Sequence, residues 1–203
     1  LGLFGSTSHH EYACFESTAI VRRLTLITLG IALVSSGNIQ SAESDQLPLT
    51  GAWRLVSDGV MGGVSTGTMR SEEHEGRMSV CLAGDVSTAN NGGFIQLALD
   101  VDAAFAARAA DYDGVSLKVL GNGERYNVHL RSSDLWLPWQ SYRAEFVAGA
   151  EWTSVRLPFA GFAPYKTGSE LRPQKLKRIG VVAIGRDFTA DICVADLAFY
   201  RDR

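Results

Sequence analysis

Ser57-Asp58-Gly59-Val60-Met61-Gly62-Gly63-Val64-Ser65 lies between two stretches of strand-like sequence, Trp53–Ser57 and Ser65–Arg70. Three glycines within five residues lose more backbone freedom on ordering than other residues would. Such a run makes sense where positive φ or close approach of main chains is required. Two readings follow: a tight, bulged connection in a β-protein, or a loop that binds a ligand or partner. The run holds no obvious catalytic group. A phosphate-binding loop would need a helix after it, and the sequence that follows is strand-like.

Working outward, the same alternation returns along the chain. Arg77–Ala83 carries Met78, Val80 and Leu82 to one face and Cys81 to the other, and Gly84 ends it. Glu72–Gly76 reads as a charged turn before it. The polar stretch Asp85–Gly93 contains the turn pair Asn91-Gly92, and Phe94–Leu99 resumes as a strand. Val115–Leu120 and Arg125–Leu130 read as a hairpin around Gly121-Asn122-Gly123-Glu124. In its second strand Tyr126, Val128 and Leu130 share one face, while Arg125, Asn127, His129 and Arg131 share the other. That polar face is either the wall of a cleft or the solvated side of a sheet. Arg143–Val147, Trp152–Leu157, Ile179–Ile184 and Ala190–Tyr200 supply further strands. Pro158–Tyr165, broken by prolines and a glycine, does not fit a regular central strand. Val101–Ala110 reads as one short helix. About ten short strands and one short helix predict an all-β fold, best met by a jelly-roll β-sandwich.

The 203 residues, 46% hydrophobic and 20% charged with a formal net charge of −3, suffice for one globular domain and a short appendage. Scattered Lys and Arg give no basic stripe, which argues against nucleic acid as a partner. Arg22-Arg23, the apolar run Leu24–Val34 and the small residues up to Ser41-Ala42 have the three parts of a secretory signal. A retained membrane anchor is the alternative, although the apolar run falls short of the roughly 20 residues a span needs. Residues Leu1–Ile20 read as translated upstream sequence before a start at Val21, or as a genuine extension. The expected organisation is therefore residues 1–42 as upstream sequence and signal, 43–50 as a linker, and 51–203 as a single soluble domain. That domain would be periplasmic or secreted.

Cys81 and Cys193 would be the cysteines of the mature domain. Two buried free thiols in separate strands are the stronger expectation, and a disulfide closing a long loop is the alternative an oxidising compartment permits. Trp136, Trp139 and Tyr142 cluster at a loop and strand entrance, where they either cap the core or form flat walls for a sugar or peptide. No paired carboxylates, nucleophilic triad, redox CxxC or metal-ligand spacing is present, so no catalytic residue, cofactor or metal is expected.

Asp58-Gly59-Val60-Met61-Gly62-Gly63-Val64-Ser65, Asn91-Gly92-Gly93-Phe94, Tyr142–Phe146, Trp152, Leu157-Pro158-Phe159 and Phe162-Ala163-Pro164 together resemble the complex I intermediate-associated protein 30 family. The resemblance spans Trp53 to Phe199 and implies a galactose-binding-like β-sandwich. Mitochondrial members assist assembly of respiratory NADH:ubiquinone oxidoreductase. Carried onto this chain, the family pattern marks Asp58, Met61, Gly62, Gly63 and Ser65 in one loop and Asn91, Gly92, Gly93 and Phe94 in another, with the loops expected to be neighbours. The family commonly places an arginine before the glycine that follows the Phe-x-Pro segment. This chain has Thr167 before Gly168, with Lys166 one place earlier.

The function expected from these features is a non-enzymatic binding or assembly-factor-like domain that recognises a protein partner, such as an envelope or respiratory assembly component, through its glycine-rich loops. The alternative is a carbohydrate-binding module in which Trp136, Trp139 and Tyr142 stack on a glycan and Arg125 and Arg131 hydrogen-bond to it.

Overall fold

Successive side chains of a strand point to opposite faces, so an apolar residue at every second position needs a second layer to cover it. The computed structural model describes residues 45–202, and twelve strands in it form two antiparallel sheets of six. The first sheet contains β1 (Gln46–Pro48), β3 (Thr66–His74), β4 (Arg77–Val86), β6 (Gly114–Gly121), β9 (Thr153–Pro158) and β12 (Phe188–Tyr200). Its order is β3-β4-β12-β6-β9, with β1 also paired to β12. The second contains β2 (Trp53–Ser57), β5 (Phe94–Asp100), β7 (Arg125–Ser132), β8 (Ser141–Val147), β10 (Ala163–Tyr165) and β11 (Leu176–Ile184). Its order is β10-β8-β7-β11-β5-β2. The jelly-roll sandwich expected from the alternation is the fold observed.

The core lies between the sheets. Tyr126, Val128 and Leu130 of β7, Ile95, Leu97 and Leu99 of β5, and Ile179, Val181 and Ala183 of β11 meet Val115, Leu117, Val119, Leu82 and Ile192 of the first sheet. The short helix α1 (Ala103–Arg108) is capped by the Asp102 side chain, which accepts from the Ala104 N–H at 2.8 Å. Among the described residues no helix is long and apolar enough to cross a membrane. The signal and anchor readings of residues 1–42 lie outside the described residues.

Several local expectations are corrected. The pair β6 and β7 is no hairpin: β6 pairs with β12 and β9, whereas β7 pairs with β11 and β8 in the other sheet. Both strands have an apolar face, and placing them in opposite layers lets those faces cover one another. The charged residues Glu72–His74 belong to β3, and the turn to β4 is reduced to Glu75-Gly76, both at positive φ. Strand β4 does not stop at Gly84 but passes through it to Val86. A Cβ at Gly84 would lie 2.1 Å from the Thr66 carbonyl oxygen, so glycine is what lets β3 close on it.

Two strands raise the count from about ten to twelve. Gln46–Pro48, within the stretch read as a linker, pairs with Ala198–Tyr200 as β1 and buries Leu47. Ala163–Tyr165 forms β10 at the edge of the second sheet, where Pro164 needs no inner ladder partner.

Cys81 and Cys193 stand directly opposite each other on β4 and β12 and form a disulfide, with an S–S distance of 2.06 Å. The expectation of two free thiols in separate strands is replaced by this bridge. Cross-strand register, which single-sequence reading does not supply, brings the sulfurs together.

Candidate functional site

Strand parity sends every residue between the core positions of the second sheet to its outer face. From β5 these include Phe94 and Gln96, from β7 His129 and Arg131, from β8 Ser141 and Arg143, and from β11 Arg178, Val182 and Ile184. Register then assembles rows across the sheet. Arg143 pairs with His129, His129 with Gly180, and Gly180 with Ala98. In the neighbouring row Arg131 pairs with Arg178, and Arg178 with Asp100. Gly180 keeps the middle of the face low, and the Gln96 amide lies across it: a Cβ at Gly180 would be 2.4 Å from Gln96 Nε2.

A cleft of about 480 Å³ occupies this face. Phe94, Trp139 and Tyr165 supply its aromatic surface, and Met61, Asn91, Gly92 and Gly93 close one end. Gln140 shapes the Trp139 loop, its Oε1 accepting from the Trp136 and Leu137 N–H groups and its Nε2 donating to the Lys166 carbonyl, all at 3.0 Å.

The two glycine-rich loops meet at this end through one side chain. Asp58 is fully buried, and its carboxylate accepts from Ser65 N at 3.0 Å, Ser65 Oγ at 2.5 Å, Gly93 N at 2.5 Å and Phe94 N at 3.2 Å. Burial alone raises a carboxyl pKa, but these donors outweigh it and hold Asp58 below its ordinary value. A Cβ at Gly63 or Gly92 would lie 2.3 or 2.5 Å from that carboxylate, so both glycines are spatial requirements. Gly62 has a different role, ending the 3₁₀ turn Asp58–Met61 at φ 87°. The expected adjacency of the loops is present, and its cause is Asp58.

His129 lies in the cleft floor, only 9% exposed, and its Nε2 is buried with no hydrogen-bond partner. Burial, with the Arg143 charge adding to it, pushes the imidazole pKa down to about 3. The ring is therefore neutral at ordinary pH. Arg143 donates from Nε to Ser141 Oγ at 3.0 Å and lies over the Tyr165 ring, 3.4 Å from its centroid. Arg131 donates to the carbonyls of Leu137 and Pro138. Burial lowers the pKa of both guanidinium groups, and Arg178 lowers Arg131 further.

The family model for complex I intermediate-associated protein 30 matches residues 40–191. The chain belongs to that family. No curated relative matches it. Among solved structures, this family member is similar to a family 11 carbohydrate-binding module of a cellulosomal cellulase from Clostridium thermocellum. The TM-score is 0.63 at 9% identity, covering 77% of this chain and 95% of the module. A structure of the family 11 module with a β-1,3-1,4-mixed-linked tetrasaccharide gives 0.59 at 11% identity, covering 77% and 94%. A family 30 carbohydrate-binding module gives 0.54 at 10% identity, covering 77% and 95%. At such identities the likeness is one of fold.

Of the residues singled out from sequence, Met61, Asn91, Gly92, Gly93, Phe94, Arg131 and Trp139 line the cleft of this family member. Asp58, Gly63 and Ser65 shape its end from beneath. Trp136, 90% exposed, borders a smaller concavity of about 300 Å³ that shares Arg131, Pro138 and Arg178 with the cleft. Arg125 lies outside, paired with Glu145 at 3.4 Å. Tyr142 is corrected outright: it pairs with Leu130, takes the core face, is 1% exposed, and its hydroxyl donates to the Glu170 carbonyl at 3.0 Å.

Sequence reasoning missed Gln96, Arg143, Tyr165 and Arg178 as cleft residues. Parity held the signal for three of them, since each alternates with a core residue of its strand. Tyr165 was hidden in a stretch read as irregular. Among the described residues, the one close group of metal-ligand types is Glu72, Cys81 and Cys193, and the S–S bond uses both sulfurs.

Proposed function

We propose that this domain is a non-enzymatic binding module that holds a saccharide in the cleft on the outer face of its second sheet. The observation that carries the reading is an open cleft combining the half-exposed Trp139 indole with a polar floor in which buried His129 Nε2 lacks a partner. Sugar rings pack their C–H faces on aromatic rings, and their hydroxyls both donate and accept. Gln96 and His129 offer complementary groups. The cleft volume falls in the usual range of about 300–1,000 Å³ for small-ligand sites. No Asp or Glu lines the cleft among the described residues, so it lacks the carboxylate pair of ordinary glycoside hydrolysis. The family 11 structure above holds a mixed-linked tetrasaccharide, which supports a saccharide as the ligand class for this type of sandwich.

A glycan array followed by calorimetry tests the proposal. Binding should weaken at least about tenfold in Trp139→Ala, and silence across the array rejects it. Export belongs to the same proposal. It is supported by the signal-like pattern of Arg22–Ala42 and by a disulfide suited to an oxidising compartment.

A second reading, recognition of a protein partner such as an envelope or respiratory assembly component, is favoured by the first glycine-rich loop. Val60, Met61 and Val64 are 78%, 57% and 49% exposed there, an apolar crest of the kind that marks contact surfaces. Co-purification from the native envelope with the unchanged chain and Met61→Arg checks it, and an identical partner profile counts against it.

A further inference from the structure

We infer that the ligand of the cleft is an acidic saccharide, whose carboxylate or sulfate groups are received by Arg131, Arg143 and Lys166 while a hydroxyl reaches His129 Nε2. The inference rests on the saccharide reading of the cleft and adds the charge of the chain that fills it.

The first observation is an imbalance. The whole protein carries a formal net charge of −3, yet Arg131, Arg143, Lys166 and Arg178 line the cleft and no Asp or Glu does among the described residues. Arg178 donates from Nε to Asp100 at 2.8 Å, a carboxylate it shares with Arg54. Arg131 and Arg143 have no carboxylate partner among the described residues. Arg131 is held by two backbone carbonyls, and Arg143 by a serine hydroxyl and the face of Tyr165. These contacts fix the planes of the guanidinium groups without cancelling their charge. A guanidinium carries five N–H donors, so each retains donors for a planar anion. Lys166 stands above the same Tyr165 ring, its Nζ 5.4 Å from the centroid, and adds an exposed cation at the rim.

The second observation is His129. It is more than nine-tenths buried in the floor, paired in register with Arg143, and its buried Nε2 has no hydrogen-bond partner. A buried polar atom without a partner is costly, and a ligand hydroxyl at the cleft floor would remove that cost. A neutral imidazole suits an alcohol, and the flanking arginines suit an acid. The two together fit a polyhydroxylated chain bearing anions better than a bare anion. Trp139, half exposed, supplies the ring-stacking surface such a chain uses.

Calorimetry on the full chain decides between ligands. The probes are an oligogalacturonate, a sulfated galactan oligosaccharide, a neutral gluco-oligosaccharide of equal length, and polyglutamate. The expected result is at least about tenfold tighter binding of one acidic saccharide than of the neutral one, weakening as salt is raised. The ratio between the two acidic chains separates carboxylate from sulfate. Arg143→Gln and Lys166→Gln should each weaken the acidic ligand about tenfold more than the neutral one, whereas Trp139→Ala should weaken both alike. Lys166 is exposed, so its variant keeps the test open should Arg143→Gln unfold. If the neutral chain binds as tightly and the charge variants leave the acidic chains unaffected, the inference is overturned while the saccharide reading survives. Binding of polyglutamate alone overturns both.

Discussion

The Asp58 carboxylate accepts from the Gly93 backbone N–H at 2.5 Å, joining residues 35 positions apart in the chain. With Ser65 and Phe94 on the same carboxylate, one buried anion ties the first glycine-rich loop to the second. Asp58→Asn turns an acceptor into a donor facing other donors. It should cost about 2–4 kcal/mol of folding stability by urea denaturation. The folded pKa of Asp58 is lowered, so its contribution is present above the unfolded value and lost as pH falls through the folded one. The variant should therefore show a flatter loss of stability on the acid side. An unchanged acid limb would remove Asp58 from the account.

The glycines of the two loops should separate by cause. Gly63→Ala and Gly92→Ala drive a Cβ into the Asp58 carboxylate and should each cost about 1–3 kcal/mol. Gly62→Ala meets open space but sits at φ 87°, and backbone strain should cost about 1 kcal/mol. Gly149→Ala, with open space and no positive φ, should be close to neutral. Thermal melts of the four variants check the order.

His129 should stay neutral far below the usual histidine range, because burial and Arg143 push its pKa from 6.5 to about 3. In an NMR titration its ring resonances should not move between pH 8 and about 5. The unfolded chain binds this proton first, so stability should fall as pH drops from about 6.5 toward about 3. His129→Gln should remove that part of the slope. Ordinary titration of the ring near neutrality would show that the cleft floor is wet.

Reduction should weaken the first sheet. The Cys81–Cys193 bridge spans 112 residues of sequence, and the double Cys81→Ala, Cys193→Ala variant should lose about 2–4 kcal/mol. Intact mass before and after reduction and alkylation reports the bridge directly. Alkylation of both sulfurs without reductant would mean that it is not formed.

How far the fold was legible follows from what alternation encodes. Tyr126, Val128 and Leu130 announced a core face because a strand repeats every two residues, and the same rule placed His129 and Arg131 on the outer face. Alternation does not say which strand lies next to which. Thus β6 and β7, adjacent in the chain, look like a hairpin although they belong to different sheets, and the pairing of Cys81 with Cys193 stays only the alternative to two free thiols. Tyr142 shows the same gap at the candidate site: its aromatic ring admits a stacking wall or a core cap, and its register with Leu130 sends it into the core. The glycine-rich loops were legible as a family mark. Their shared dependence on Asp58 appears only when Gly93 and Phe94 are brought beside it.

The positions of β11 and β12 bear on how the chain is made. Each lies inside its sheet, yet both are translated after every other strand. Without β12, the β3–β4 hairpin is severed from β6–β9, and without β11, β10-β8-β7 is severed from β5–β2. A nascent chain that ends before Leu176 therefore holds ten strands in disconnected fragments, with neither layer continuous enough to cover the other. Long-range pairing of this kind slows folding, and both sheets become continuous only once the chain through Tyr200 is available. A chain threaded through a membrane before then would travel without having to unfold.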